Sequence, residues 1–334
     1  NRNKKSVTLD LRVPEGQRLL HELVRHVDAV IHNFKNEFVQ ARGLSYETLS
    51  AINPRVVYCG MTGYGESGPY KDQPGYDLMA MAIGGAMSVT GEPDRPPIKS
   101  AISFGDILTG YNAAVGVLSA LLARRDSDTG QKISVNLLDS IVATLVAPMG
   151  IYFGSGNVPP RESPNQGQQF SPGGTFPTSD GYVAISANQD KFFRKLCQAV
   201  GHAEWVDDPR FKERSQRVAH RDDLRSLLEE TLRTRTTKEW MVVFREYGLA
   251  AGPIQTLDQV AVDPQVLHNG MVFPIDHPKC GPVRMLGTPV HFPGQDFATY
   301  RPPPALGEHT DEVLREYLSL SEDTLQDLRA RHVI

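Results

Sequence analysis

Cysteine is scarce in this chain: Cys59, Cys197 and Cys280 are the three thiols in 334 residues, widely separated and odd in number. No CxxC pair and no His/Cys ligand spacing accompanies them. Neither a disulfide framework nor a zinc knuckle is suggested, and buried free thiols in a reducing compartment are the plain reading. Basic runs are equally rare. None exceeds a pair such as Lys4-Lys5 or Arg124-Arg125, and 35 Lys+Arg against 39 Asp+Glu leave a net charge of -4. Sequence-independent nucleic-acid binding is excluded on that balance, and an anionic ligand would need a local site. Gly and Pro, at 29 and 24 residues, stay well below the ~25–30% of low-complexity chains. No run approaches the ~18 apolar residues of a membrane span. No signal peptide is visible either, so neither a membrane nor a nucleic acid is an expected partner.

What is present reads as ordinary globular protein, 40% hydrophobic and 22% charged. The length favours two domains over one and can bury a sizeable core. Val7-Thr8-Leu9-Asp10-Leu11 reads as a strand lying directly behind Asn1 to Lys5. A chain that opens inside an element reads as a fragment, with any targeting signal upstream. Pro14-Glu15-Gly16 then begins a helix with Leu19, Leu20, Leu23 and Val24 on one face. Strands follow over Asp28 to Phe34 and Arg55 to Met61, with a short helix from Ser45 between them. This alternation predicts βαβ units and a parallel sheet, whose ligands would sit beyond the carboxyl ends of its strands.

Further on, Tyr76 to Met87 reads as a small-residue helix. A long helix from about Asp106 to Arg125 carries Leu108, Tyr111, Val115, Leu118 and Leu122 on one stripe. Lys132 to Leu137 predicts a strand, and 138–153 another apolar helix. The composition turns polar and Gly-rich at 154–181, the expected domain boundary. Beyond it come a strand at Tyr182 to Ile185, helices near 189–200, 219–233 and 237–248, and short strands near 253–257, 271–275 and 283–286. Arg301-Pro302-Pro303-Pro304 forms a stiff connector to a C-terminal helical pair. Residues 1–153 thus read as a large α/β domain, 154–181 as a crossover linker, 182–292 as a small α+β domain, and 293–334 as a return to the first.

Two motifs invite chemistry. Gly63-Tyr64-Gly65-Glu66-Ser67-Gly68 has the glycines of a phosphate loop but neither GxxxxGK[ST] nor GxGxxG opening a helix, so an ordinary turn is the simpler reading. Asp106 follows Gly105 at the start of an amphipathic helix. It reads either as a helix cap or as a carboxylate nucleophile favoured by the helix N-terminus, and local pattern leaves both open.

Several blocks, in order along almost the whole chain, resemble one family. They are Asn1 to Ser6, Asp28 to Phe34, Ile52-Asn53-Pro54-Arg55, Thr62-Gly63-Tyr64-Gly65, Gly75-Tyr76-Asp77 and Gly105-Asp106. They continue with Thr178 to Tyr182, Asp263 to Val266, Gly287 to Val290 and Leu306 to Thr310. These blocks are similar to the family III CoA-transferases, a family with an α-methylacyl-CoA racemase branch. The resemblance implies a Rossmann-like parallel-sheet domain with a smaller α+β domain, and a dimer of two chains threaded as interlocked rings. It also implies that an N-terminal part precedes Asn1.

The resemblance carries the family's catalytic aspartate onto Asp106, with Gly105 leaving room for a thioester beside it. It carries CoA contacts onto Leu9 and Arg12, onto Asn33, Phe34 and Lys35, and onto Arg42. On local pattern alone Phe34 reads as core, and Lys35 and Arg42 as solvated surface. Lys35-Asn36-Glu37 departs from the family's usual Arg/His-Pro-Gly. Tyr76 stands where the racemase branch has a histidine, and a phenol near pKa ~10 is a poor base beside an imidazole near ~6.5. Gln166 to Gly174, with Gly173 and Gly174 at its end, occupies the place of a substrate-proximal loop, or is a plain linker.

The implied enzyme uses acyl-CoA and a small carboxylic acid as substrates, with no permanently bound cofactor and no metal. The C-terminal half looks most similar to the succinyl-CoA:glutarate type. The resemblance implies a cytoplasmic enzyme in a bacterium or a mitochondrial one in a eukaryote. An acyl-CoA racemase and a non-catalytic CoA-binding protein are the competing readings.

Overall fold

The computed structural model describes residues 1–161, 171–294 and 300–334. The chain divides into two compact units, the first built from 1–84, 100–144 and 261–334, the second from 85–99 and 145–260.

In the first unit, β1 (Ala29–His32), β2 (Val57–Thr62) and β3 (Lys132–Asn136) form a parallel sheet in the order β1-β2-β3. The long helix Phe104–Ser127 covers one face, packing Ala113, Val117 and Ala120 on Val57 and Cys59. Helices Pro14–Val24 and Tyr46–Ile52 cover the other, where Val24 and Leu49 pack on Val56 and Tyr58. A two-stranded hairpin and the helices Thr310–Leu318 and Glu322–Ala330 complete the unit. Leu328 and Val333 pack on Leu19.

In the second unit, β4 (Gly173–Pro177), β5 (Tyr182–Ser186) and β6 (Ala250–Pro253) are antiparallel. Helices Asp190–Ala199, Arg221–Leu232 and Thr237–Glu246 cover them with Phe193, Leu196, Leu224, Leu228, Trp240 and Phe244. Thr236 and Glu239 close a reciprocal capping box at the last of these helices. Arg217 is fully buried; Asp190 neutralises it at 2.5 Å, and it donates to the Phe211 carbonyl at 2.9 Å.

Parallel sheet, α/β layering and a second α+β unit accord with the sequence reading, but several details are corrected. The expected boundaries at 154, 182 and 293 do not coincide with the units. Residues 85–99 and 145–153 fall in the second and 261–292 in the first. Arg161 donates to the Glu92 and Pro93 carbonyls at 2.9 and 2.8 Å, which ties 85–99 to the second unit. The hairpin β7 (Val272–His277) and β8 (Gly281–Leu286) is tied to the first, where Arg2 donates to the Gly287 carbonyl at 3.2 Å.

No strand forms over Val7 to Leu11, because that backbone is engaged by the C-terminal segment. The Thr8 N–H donates to Thr310 Oγ1 at 3.0 Å and the Asp10 N–H to the Val333 carbonyl at 2.8 Å. The strand expected at 253–257 lies at Ala250–Pro253, followed by helix at Leu257–Val260. The helix expected over Tyr76 to Met87 spans Asp77–Ile83, and 138–153 breaks into Leu137–Val142 and Val146–Ser155.

The largest correction concerns Phe104–Ser127. It buries its small residues Gly105, Thr109, Ala113 and Ala120 and exposes the large stripe. Of the expected stripe, Tyr111, Val115, Leu118 and Leu122 are 56–66% exposed and Leu108 is half-buried, with Ile107 beside them 46% exposed. Small side chains win the sheet because they allow close approach; even at Gly116 a Cβ would lie 3.1 Å from Ile133 Cγ2. This helix is also long and apolar enough to cross a membrane, with a mean hydropathy of 1.4 in its most apolar window. Its leucines, valines and isoleucine carry that score, interrupted by Asp106, Asn112 and several small residues rather than standing in one unbroken run, which is why the sequence reading passed over it.

Candidate active site

The parallel sheet fixes where chemistry can gather. The helix Phe104–Ser127 precedes β3 and runs back along the sheet. Its last turn is tied to the amino ends of the strands, where Arg124 donates to the Arg55 carbonyl at 2.7 Å and to Asp28 at 2.6 Å. At 24 residues it is roughly 36 Å long and far outreaches the strands. Its first turn, carrying Asp106, therefore projects past the carboxyl edge, where parallel sheets bind ligands.

Asp106 is not the cap of its own helix. Ser103 holds the N-cap position without a side-chain bond, and the cap comes from elsewhere. The buried Asp77, first residue of the helix Asp77–Ile83, accepts the Gly105 N–H at 2.8 Å and the Asp106 N–H at 3.3 Å. Two of the helix's orphan donors are thus satisfied by a carboxylate from another element. The Asp106 side chain is left exposed and makes no hydrogen bond or ion pair with any described residue. The partial positive charge of the helix N-terminus attracts its carboxylate.

The glycines explain how Asp77 comes so near. A Cβ on Gly105 would lie 2.9 Å from Asp77 Oδ1, so any side chain there would push the cap away. Gly63 and Gly75 touch backbone to backbone, and a Cβ on Gly63 would lie 2.6 Å from Gly75 Cα. That contact pins the loop leading into Tyr76 and Asp77 against the end of β2. Tyr76 itself is 68% exposed at the N-cap of the Asp77–Ile83 helix. The Gly63–Gly68 run, a loop with Gly65 and Gly68 at positive φ, opens no helix.

A second group assembles beside this sheet. Phe34 is 44% exposed rather than core, its ring tilted at 46° against Phe38 with centroids 4.8 Å apart. The Arg42 guanidinium lies 5.8 Å from the Phe38 centroid. Asn33 and Lys35 flank Phe34 in the open. Arg12 forms a bidentate pair with Asp10 at 2.9 and 2.8 Å. That guanidinium first, then the Arg12 backbone N–H, pulls the Asp10 carboxyl down to about 2, and Arg42 adds to the pull. Leu9, Arg12, His332 and Ile334 line an open cavity of about 490 Å³. Phe34, Phe38 and Arg42 thus form one aromatic and cationic cluster, while Arg12 reaches the cavity paired with Asp10.

Gly173 and Gly174 begin β4 in the second unit, paired with Ser186 and Ile185. Gln166 to Phe170 of the expected substrate loop lie outside the described residues. Among the described residues no cluster of three or more His, Cys, Asp or Glu could hold a metal. Asp139 pairs with the true cap Asn136, donating its N–H at 2.8 Å to Asn136 Oδ1. His309 sits at a helix entry and accepts the Ser6 N–H at 3.3 Å. Sequence reasoning missed the part played by Asp77, which only its position at a helix start marked.

The comparisons agree with this architecture. The model of CoA-transferase family III matches residues 1–310. The chain belongs to CoA-transferase family III and is a CoA-transferase. It is 35% identical over its whole length to succinyl-CoA–D-citramalate CoA-transferase from Chloroflexus aurantiacus, spanning 83% of that protein. It is 32% identical, again over its whole length, to human succinyl-CoA:glutarate CoA-transferase (Homo sapiens), spanning 76% of it. The crystal structure of a CaiB/BaiF family protein from Brucella suis superposes with a TM-score of 0.86 at 38% identity, covering 95% of this chain and 82% of that one.

Proposed function

We propose that this chain moves CoA from succinyl-CoA to a short dicarboxylic acid of the glutarate or citramalate kind, with Asp106 as nucleophile. The observation that carries the reading is the exposed Asp106 carboxylate beyond the sheet's carboxyl edge, its backbone held by Asp77. The names of the relatives support the substrate pair. The Asp106 carboxylate attacks the thioester carbonyl, the C–S bond breaks, and a mixed aspartyl anhydride and CoA thiolate result. The thiolate then attacks the aspartyl carbonyl, releasing the donor acid and leaving an aspartyl-CoA thioester. The acceptor carboxylate attacks that thioester, and the thiolate returns to the acceptor's acyl carbon. This delivers acceptor-CoA and restores Asp106. Leu9, Arg12, Asn33, Phe34, Lys35 and Arg42 would hold the CoA, with cations for phosphate and an exposed ring for adenine.

Asp106→Asn is expected to abolish transfer while leaving the fold intact. Hydroxylamine should trap acylated Asp106 only when acyl-CoA is present. More than a few per cent residual activity removes Asp106 from the nucleophile role. The phenol of Tyr76 supports transfer over racemisation, so no α-proton of a 2-methylacyl-CoA should exchange in deuterated water.

The active form is a homodimer, interlocked as the family resemblance implies. The exposed stripe Ile107, Tyr111, Val115, Leu118 and Leu122 supports it as the covered face. Light scattering at micromolar concentration should give a dimer. Leu118→Glu, which sets a charge on the covered face, should lower the melting temperature of the dimer rather than release folded monomers, because interlocked rings part only on unfolding. A monomeric native protein would contradict the assembly.

A further inference from the structure

The strand-end segment Asn33 to Lys35 leans on a side chain that the transfer reaction does not use. His32 closes β1 and pairs in register with Gly60 of β2. Its Nδ1 lies 3.2 Å from the Phe34 backbone nitrogen, a group that can only donate. Nδ1 is therefore the acceptor, and in the neutral ring the proton sits on Nε2. Nε2 then donates to Tyr58 Oη at 2.6 Å. The ring is also stacked on Phe34, with centroids 5.8 Å apart at 17°, and meets the Tyr58 ring edge-on at 5.0 Å. Gly60 lies under the ring: a Cβ there would touch His32 Nε2 at an ordinary 3.6 Å and crowd Glu66 Oε1 at 3.1 Å.

We propose that His32 is a positioning residue for the acyl-CoA site, its neutral ring holding the Phe34 backbone and ring in the binding conformation. The proposal rests on the CoA-site reading above. Protonation of Nδ1 would set one donor against another and release the segment. Three ionisable groups face the ring: the Tyr58 phenol from β2, Glu66 from the loop after β2, and Lys132 from β3. Burial lowers the His32 pKa below its ordinary value, Glu66 opposes that, and Lys132 adds to it. Glu66 is itself engaged by Lys132 at 2.6 Å. The ring is thus neutral at neutral pH and gains its proton only on the acid side.

The test is steady-state transfer from succinyl-CoA across pH, with calorimetric binding of free CoA to each protein. For the native enzyme, the KM for succinyl-CoA should be flat above neutrality and rise on the acid side of the ordinary imidazole range, with little change in kcat. His32→Phe keeps the ring packing and removes the acceptor. Its KM should rise about two- to twelvefold at neutral pH, the worth of one backbone hydrogen bond. His32→Asn offers Oδ1 where Nδ1 stood and cannot titrate, so its KM should stay near native and lose the acid rise. This variant keeps the proposal testable should His32→Phe fold poorly. An acid rise that persists in His32→Asn, or a native KM in folded His32→Phe, overturns the proposal while leaving the CoA site in place. Failure of the native protein to bind CoA at any pH overturns the site reading and this proposal with it.

Discussion

The sharpest test of the site is the removal of a group that never touches the substrate. Asp77→Ala takes away the acceptor for the Gly105 N–H, which is buried, and for the Asp106 N–H. Hydrogen bonds to a charged acceptor are worth about 1.5–3 kcal/mol, and a buried donor left alone pays its full desolvation. With one contact at 2.8 Å and the other longer at 3.3 Å, the loss sums to roughly 2–4 kcal/mol. For a unit of this size that is a fall in melting temperature of roughly 5–15 °C. Release of the helix's first turn also misplaces Asp106, and a shift of about 1 Å can cost ~100-fold in rate. Gly105→Ala reaches the same state from the other side, since its Cβ would lie 2.9 Å from Asp77 Oδ1 and displace the carboxylate. Differential scanning fluorimetry and a succinyl-CoA transfer assay read both effects. The double variant should be little worse than either single one, because both break one contact. An Asp77→Ala enzyme with native melting and activity within about twofold would show that the cap does not hold Asp106 in place.

Two further outcomes follow from the titratable groups. Burial pushes the Cys197 thiol up to about 12 and raises Cys59, whereas Cys280 is exposed. One of the three thiols should therefore react with Ellman's reagent in the native protein, and all three after denaturation. Asp10, held at about 2 by Arg12, contributes stability that is present above its unfolded value and lost as pH falls through about 2. Carboxyl-carbon NMR should find it titrating well below the ordinary aspartate range, and Arg12→Gln should return it towards that range.

Much of the first unit was legible because its signals are local. The β-rich runs around Ala29–His32 and Val57–Thr62, separated by amphipathic segments, announce a parallel sheet, and Pro14 announces a helix start. Val7 to Leu11 carries the same kind of pattern and forms no strand, since its backbone is engaged some 300 residues away in sequence. β4 runs through Gly173 and Gly174 and looks like linker, because glycine weakens strand propensity without forbidding pairing.

The same division runs through the site. Gly105-Asp106 at a helix start could be read as meaningful, but whether Asp106 was cap or nucleophile could not. That Asp106 is not the cap follows from Asp77, 28 residues before Gly105, and no spacing rule links an acid to a distant helix N-terminus. Once Asp77 caps that helix, the Asp106 side chain is released from the structural duty that competed with the chemical one.

The helix that carries Asp106 shows why periodicity alone misjudged a face. Phe104–Ser127 is apolar on two sides, one of glycine, alanine and threonine, the other of large residues. A rule that follows large side chains turns the second inward. Close packing on a sheet favours the first, since dispersion contacts reward the shortest approach. The large stripe is then left over, too wide and too apolar to be ordinary scatter on a surface. The choice that seats this helix firmly enough to hold Asp106 at the sheet's edge is therefore the same choice that leaves a large apolar face exposed.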